Sequence, residues 1–118
     1  MSKWIIAALF LLLHIFSPVF AGEYMKNDVY VEMVEKQSYR PFLQQYENYT
    51  YVKVSSSPAW TGGTCLQDWV ALQSNDKESL SIALAALSTG NKVVIRVDDS
   101  LPKIGGTHCQ ITTIGMKK

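Results

Sequence analysis

Apolar and polar positions alternate every second residue in five stretches of this chain and follow a helical period in one. In 28–35, Val29, Val31 and Met33 alternate with Tyr30, Glu32 and Val34, the two-residue period of a strand. A polar stretch at 37–45, interrupted by Pro41, separates it from 46–54, which is dense in Tyr, Thr and Val and stops at Ser55-Ser56-Ser57-Pro58. In 65–72, Leu66, Val70 and Leu72 take one side and Trp69 and Ala71 the other, so the third strand is apolar on both faces, with Asp68 as the exception. The stretch 92–98 alternates again around Val93, Ile95 and Val97. In the last, 108–116, the pattern slips at Thr112-Thr113, as a β-bulge produces. Between the third and fourth strands Leu80, Ala83, Leu84 and Leu87 recur at i, i+3, i+4 and i+7, the stripe of an amphipathic helix. Asn75 is placed to cap it, Glu78 to complete a capping box, and Gly90 to end it in a left-handed turn.

Three strands, a helix and two strands make the chain mainly β with one helix, an α+β class. The order β-β-β-α-β-β is that of an OB-fold-like five-stranded barrel. A cystatin-like sheet opens with its helix, and an immunoglobulin-like sandwich has about seven strands and no central helix, so both fit less well.

The opening of the chain changes the picture of where this barrel resides. Met1-Ser2-Lys3 is a short cationic start, an apolar run follows through Phe16, and Val19-Phe20-Ala21 places small or branched residues where a signal peptidase reads. A run of about 13 apolar residues is short of the roughly 20 that span a bilayer. Residues 1–21 are therefore expected to be a signal peptide cut between Ala21 and Gly22, leaving 22–118 as a single domain without a membrane anchor. The expected location is periplasmic or secreted.

Charge narrows the partners. The chain carries 11 Lys plus Arg against 10 Asp plus Glu, and losing Lys3 leaves the 22–118 segment formally neutral. With no basic run to neutralise phosphates, nucleic acid is not an expected partner. Two Cys and two His are too few for an ordinary zinc site, and no glycine-rich phosphate loop is present, so neither metal nor cofactor is expected.

Cys65 and Cys109 are the only thiols, and export places them where thiols oxidise. One intramolecular bridge is available to them, and closing its loop of about 45 residues restricts the unfolded chain by about 4 kcal/mol in the entropy model. A redox-active or metal-binding pair is the alternative, without a CxxC spacing or a second histidine to support it. Gly62-Gly63-Thr64 precedes the first cysteine and Gly105-Gly106-Thr107-His108 the second, each read as a turn that delivers a cysteine to the start of a strand.

Aromatic residues are the candidate contact groups. Trp60, in the loop at 55–63, either stacks on a sugar or a partner or folds back over the barrel end. Trp69 is read as core. All six tyrosines lie between Tyr24 and Tyr51, and Tyr49 and Tyr51 share one strand face, which is either an adhesive surface or ordinary strand cover. His108 is a pH-sensitive contact or a solvent-facing strand residue, and one histidine without a nucleophile beside it makes no triad. Asp98-Asp99 reads as a turn signal. Aromatic supply without a catalytic constellation points to a non-enzymatic binding module rather than an enzyme.

The run at 80–97, LSIALAALSTGNKVVIRV, follows a cysteine and is followed by Cys109-x-Ile111-x-x-Ile114. Over 65–116 this pattern resembles small exported bacterial proteins related to the B subunits of ring-forming toxins, of the subtilase cytotoxin B type. The resemblance implies an OB-type fold, a homo-oligomeric ring and binding to cell-surface glycans. A structural or assembly component of a homo-oligomer in the bacterial envelope, with no ligand of its own, is the alternative that such a fold leaves open.

Overall fold

The computed structural model describes residues 22–118, so the expected signal peptide at 1–21 lies outside the described residues. The chain forms β1 (Glu23–Val29), β2 (Val31–Lys36), a 3-10 turn (Gln44–Tyr46), β3 (Thr50–Val54), β4 (Trp69–Leu72), α1 (Lys77–Thr89), β5 (Val93–Asp98) and β6 (Gln110–Met116). The strands make one six-stranded sheet in the order β1-β5-β6-β4-β3-β2, antiparallel except for the β4–β6 pair.

The mainly β class with one helix is as expected. Where an OB-fold-like five-stranded barrel with three strands ahead of the helix was expected, the described residues form one six-stranded sheet that is not closed, with four strands ahead of the helix. The first expected strand, 28–35, is divided at Tyr30 between the end of β1 and β2; Asp28, at a φ of 56°, bulges β1 where its register slips between Lys26 and Val29, and β2 slips again between Val31 and Met33. A left-handed residue breaks the alternation that a single strand requires. β1 and β2 are the two edges of the sheet, yet only Tyr30 separates them in sequence.

Two other strands are shorter than expected for identifiable reasons. β3 begins at Thr50 rather than at 46, since the 3-10 turn and Asn48, with a φ of 68°, hold the preceding chain out of the ladder. β4 begins at Trp69 because the carbonyls of Leu66 and Gln67 are already occupied by the Trp60 indole and the Lys26 ammonium. Cys65 thus lies in a loop and not at a strand start. β5 and β6 follow the sequence pattern closely: Val93, Ile95 and Val97 are buried, and the bulge falls at Thr112, skipped where Arg96 faces Thr113 and Val97 faces Ile111.

The helix is present but rotated from its expected stripe. Asp76, not Asn75, caps it, accepting a hydrogen bond from the Ser79 N–H at 3.2 Å, and Gly90 ends it with a φ of 73°. Ala83 and Ala86 are buried against the sheet with Ile82 and Leu80 at their flanks, whereas Leu84 is 45% and Leu87 39% exposed. Small alanines let the helix backbone approach β2 and β6 closely, and this outweighs burying the larger leucines on the adjacent face.

Residues of β3 and β4 divide the interior in two. Val52, Val54, Val70 and Leu72 join the main core with Val93, Ile95 and Val97, while Tyr51 and Ala71, one residue out of phase, point to the other face. There they meet Ile104, Tyr46, Tyr49 and Trp69 in a second, smaller cluster.

Candidate functional site

The smaller cluster is the candidate site. Four elements supply it: the loop before β3 brings Tyr46 and Tyr49, β3 brings Tyr51, β4 brings Trp69, and the β5–β6 connection brings Ile104 and His108. His108 stands at its centre. Its ring lies 4.8 Å from that of Tyr51, 6.0 Å from Tyr46 and 6.5 Å from Trp69, with interplanar angles of 68°, 84° and 79°. Tyr46 and Tyr51 meet at 6.1 Å and 66°. All four contacts are edge-to-face, the arrangement that sets the positive ring edge against a negative face.

The backbone explains how His108 arrives there. Ile104 and His108 close a tight hairpin, with the Ile104 N–H donating to the His108 carbonyl at 2.8 Å and the His108 N–H returning to the Ile104 carbonyl at 3.1 Å. Gly105 and Gly106 turn it with φ of 64° and 77°. Gly105 is needed twice over, since any Cβ there would overlap the Tyr46 ring. On the far side Cys109 is bridged to Cys65, with Cα atoms 5.6 Å apart, and its carbonyl accepts from the Ala71 N–H at 2.9 Å. The expected disulfide and the adjacency of the third and last strands are therefore both present.

The rings of the cluster carry no formal charge, while Arg40 and Glu35, the latter opposite Tyr51 across the β2–β3 pair, act on the Tyr51 hydroxyl from outside it. Burial pushes the Tyr51 hydroxyl up to about 12, with Tyr46 and Tyr49 adding to the effect, and that hydroxyl donates to the Tyr46 carbonyl at 3.1 Å. Burial holds His108 below the ordinary histidine value, and its Nδ1 lies 2.7 Å from Thr107 Oγ1. An uncharged imidazole among phenols and an indole offers apolar faces and oriented polar edges, not a charge.

Of the expected contact residues, Tyr49, Tyr51 and His108 are brought together here. Tyr51 serves as the buried floor of the cluster, and Tyr49 and His108 are half-buried at its surface. Trp60 is elsewhere. It is only 5% exposed, folded into the main core, with its Nε1–H donating to the Leu66 carbonyl at 2.8 Å, so it presents no face for stacking. The Lys26 ammonium stands 5.0 Å above its ring and donates to the carbonyls of Ser55 at 3.0 Å, Ser56 at 3.1 Å and Gln67. Desolvation holds Lys26 below its ordinary value, partly offset by Asp68.

Two parts of the site escape sequence reading. Tyr46 and Trp69 join only because the sheet brings them to His108, and no local spacing signals it. Phe42 is 95% exposed at the tip of the loop that leads into Tyr46 and Tyr49, with Tyr39 exposed nearby. An aromatic residue directly after Pro41 in a polar stretch is a signal for it. The base of this loop is clamped, with the Asn48 N–H donating to the Gln37 carbonyl at 2.6 Å and the Gln37 N–H to the Tyr49 carbonyl at 3.2 Å.

Among the described residues no helix is long and apolar enough to cross a membrane, and no group of three or more His, Cys, Asp or Glu is gathered as a metal site requires. The chain matches no protein-family model, no curated protein and no solved structure.

Proposed function

We propose that the chain is an exported, non-enzymatic binding module that contacts a glycan or a protein surface through the aromatic cluster and the loop tip carrying Phe42. The observation that supports this is the convergence of Tyr46, Tyr49, Tyr51, Trp69 and His108 from four elements into one uncharged aromatic surface. Rings of this kind give large contact area at low entropic cost. The compartment follows the expected signal peptide, and the bridged Cys65–Cys109 pair is compatible with it.

The finer reading of the fold is an OB-type barrel of the kind found in toxin B subunits. It takes β1 and β2 as one strand bent at Tyr30, which reduces six strands to five with three ahead of the helix. The two sheet edges then belong to one strand, and β4 and β6 are the parallel pair. In such barrels the face of the second and third strands, with the loops beside it, is where ligands lie. Tyr51 and Trp69 would occupy that face.

Glycan arrays and pull-downs of envelope proteins test the binding reading. Wild type should bind at least one class, and Tyr49→Ala with Phe42→Ala should weaken it by about tenfold or more, the size of a contact hot spot. Trp60→Phe should leave affinity unchanged. Absence of binding by the purified wild type removes this reading.

A second reading, a homo-oligomeric assembly component, rests on the exposed Leu84 and Leu87, with Met116 also exposed and its Sδ 3.8 Å from Thr89 Oγ1 at the end of the helix. The neutral surface offers little repulsion between copies. Light scattering at micromolar concentration distinguishes the two, since a monomer excludes the ring and leaves the binding module intact.

A further inference from the structure

Gly22, the residue immediately before β1, is fixed more tightly than a chain entry requires. Its φ is +118°, and a Cβ there would stand 2.5 Å from Asp98 Oδ1 and 2.8 Å from Ser100 Oγ. Its carbonyl accepts a hydrogen bond from the Asp99 N–H at 2.6 Å. Only glycine fits, and its backbone lies against the Asp98 carboxylate. Nitrogen and Cβ of one residue are about 2.5 Å apart, which places the Gly22 nitrogen within about 5 Å of Asp98 Oδ1.

An independent feature of the same rim is its charge. Glu23 and Asp98 are directly opposed across the β1–β5 pair, so two carboxylates share one face of the sheet, and Asp99 follows. Like charges so placed destabilise a pair of strands. Hydrogen bonds from the Ser100 N–H at 2.9 Å and Oγ–H at 2.5 Å hold the Asp98 carboxyl below its ordinary value, so it stays charged. Of the nearby cations, Arg96 lies two residues back along β5, opposite Met25, and Lys103 Nζ is engaged by Thr64 Oγ1 at 3.2 Å.

We infer that hydrolysis of the Ala21–Gly22 bond completes this rim: the α-ammonium left on Gly22 becomes the ion-pair partner of Asp98. Water adds across the amide under a leader peptidase. The hydroxyl goes to the Ala21 carbonyl carbon, which departs as a carboxylate, and the Gly22 nitrogen leaves as an amine that takes up a proton. Before cleavage that nitrogen is an uncharged amide. After it, a positive charge stands beside Asp98 and next to Glu23, so removal of the leader also strengthens the β1–β5 edge. This rests on the leader cleavage that the exported reading also takes, and not on the binding surface, so loss of binding and loss of this ion pair are separate outcomes.

The pairing raises the α-amine above its ordinary value of about 7.7–8.0. Its stabilisation is therefore fully present below that value and is lost as pH rises through the raised one.

The test uses the 22–118 chain with a free and with an acetylated Gly22 nitrogen, each as wild type and as Asp98→Asn, unfolded in urea at low salt and pH 7. Acetylation should lower the folding constant about two- to fivefold in wild type, the range of an exposed ion pair, and by less than about 1.5-fold in Asp98→Asn. A nitrogen-15 titration of wild type should place the α-amine above about 8. Equal effects of acetylation in the two backgrounds, or an α-amine at or below its ordinary value, overturn the inference.

Discussion

Two aromatic regions of this protein, the Trp60 corner and the His108 cluster, are built from similar residues and reach opposite ends. At the Trp60 corner the ring is sealed inside, its one polar atom bonded to Leu66, and a lysine only 1% exposed spends its donors on three carbonyls. Around His108 the rings meet edge-on, three of the four half-buried and only Tyr51 fully enclosed, and no charge is enclosed. The difference teaches that burying an aromatic residue does not by itself mark a core or a site. What decides is whether the ring itself is sealed in, as at Trp60, or kept half-exposed, as are Tyr46, Tyr49, Trp69 and His108 even though the Tyr51 hydroxyl and His108 Nδ1 have partners within the fold. The disulfide joins the two regions, since Cys65 follows the Trp60 loop and Cys109 follows His108.

The largest effect should come from cutting that link. Reduction, or Cys65→Ala with Cys109→Ala, is expected to cost about 4 kcal/mol, measured by urea unfolding, because a loop of 44 residues regains its freedom in the unfolded chain. It should also loosen both regions together, seen as a change in tryptophan emission and in the His108 resonance. An unchanged midpoint after reduction would sink the idea that the bridge couples them.

Next is Lys26→Met, which fills similar space but leaves three carbonyls without their donor. A loss of about 3 kcal/mol is expected, by analogy with charge-assisted bonds removed from partly buried sites. Trp60 emission should shift to the red while binding through the other region persists. If Lys26→Met instead matched wild type in stability, the ammonium would be incidental to the corner.

Tyr51→Phe removes one hydroxyl from the cluster and its bond to the Tyr46 carbonyl, for which about 1 kcal/mol is expected in the same unfolding assay. The contrast with Lys26→Met is the sharper measurement, because it compares a neutral bond with a charged one.

The smallest effect is in pH dependence. His108 titrates below its ordinary value of 6.5 in the folded protein, so its contribution is fully present above 6.5 and falls away as pH drops towards the lowered value. His108→Gln should flatten this part of the stability profile, and an unaltered acid slope would show that the imidazole is not desolvated in solution.

How much of this was legible beforehand depends on the range of the contacts. β5 and β6 were readable, bulge included, because period and burial agree residue by residue at Val93, Ile95, Val97 and Ile111. β1 was not, since Glu23, Lys26 and Asp28 carry the look of a polar segment, and only the carbonyls of Ser55, Ser56 and Gln67, gathered from about 30 and 41 positions away, make room for Lys26 inside. The helix was legible as a helix but not in its facing. Period shows that a stripe exists, yet Leu84 and Leu87 compete with Ala83 and Ala86, and the distance to the sheet settles which side turns inward.

The sequence by itself determined the elements whose causes are local: strand period, the left-handed stop at Gly90, the turns at Gly105-Gly106, and the one pairing that two cysteines allow. Only the tertiary structure decided which residues became neighbours. It moved Trp60 from the candidate surface into the core, set Tyr46 and Trp69 around His108, and laid Gly22 against Asp98. The physical reason is that a backbone conformation depends on a few adjacent residues, whereas burial of a ring or an ammonium depends on partners that the chain brings from far along its length.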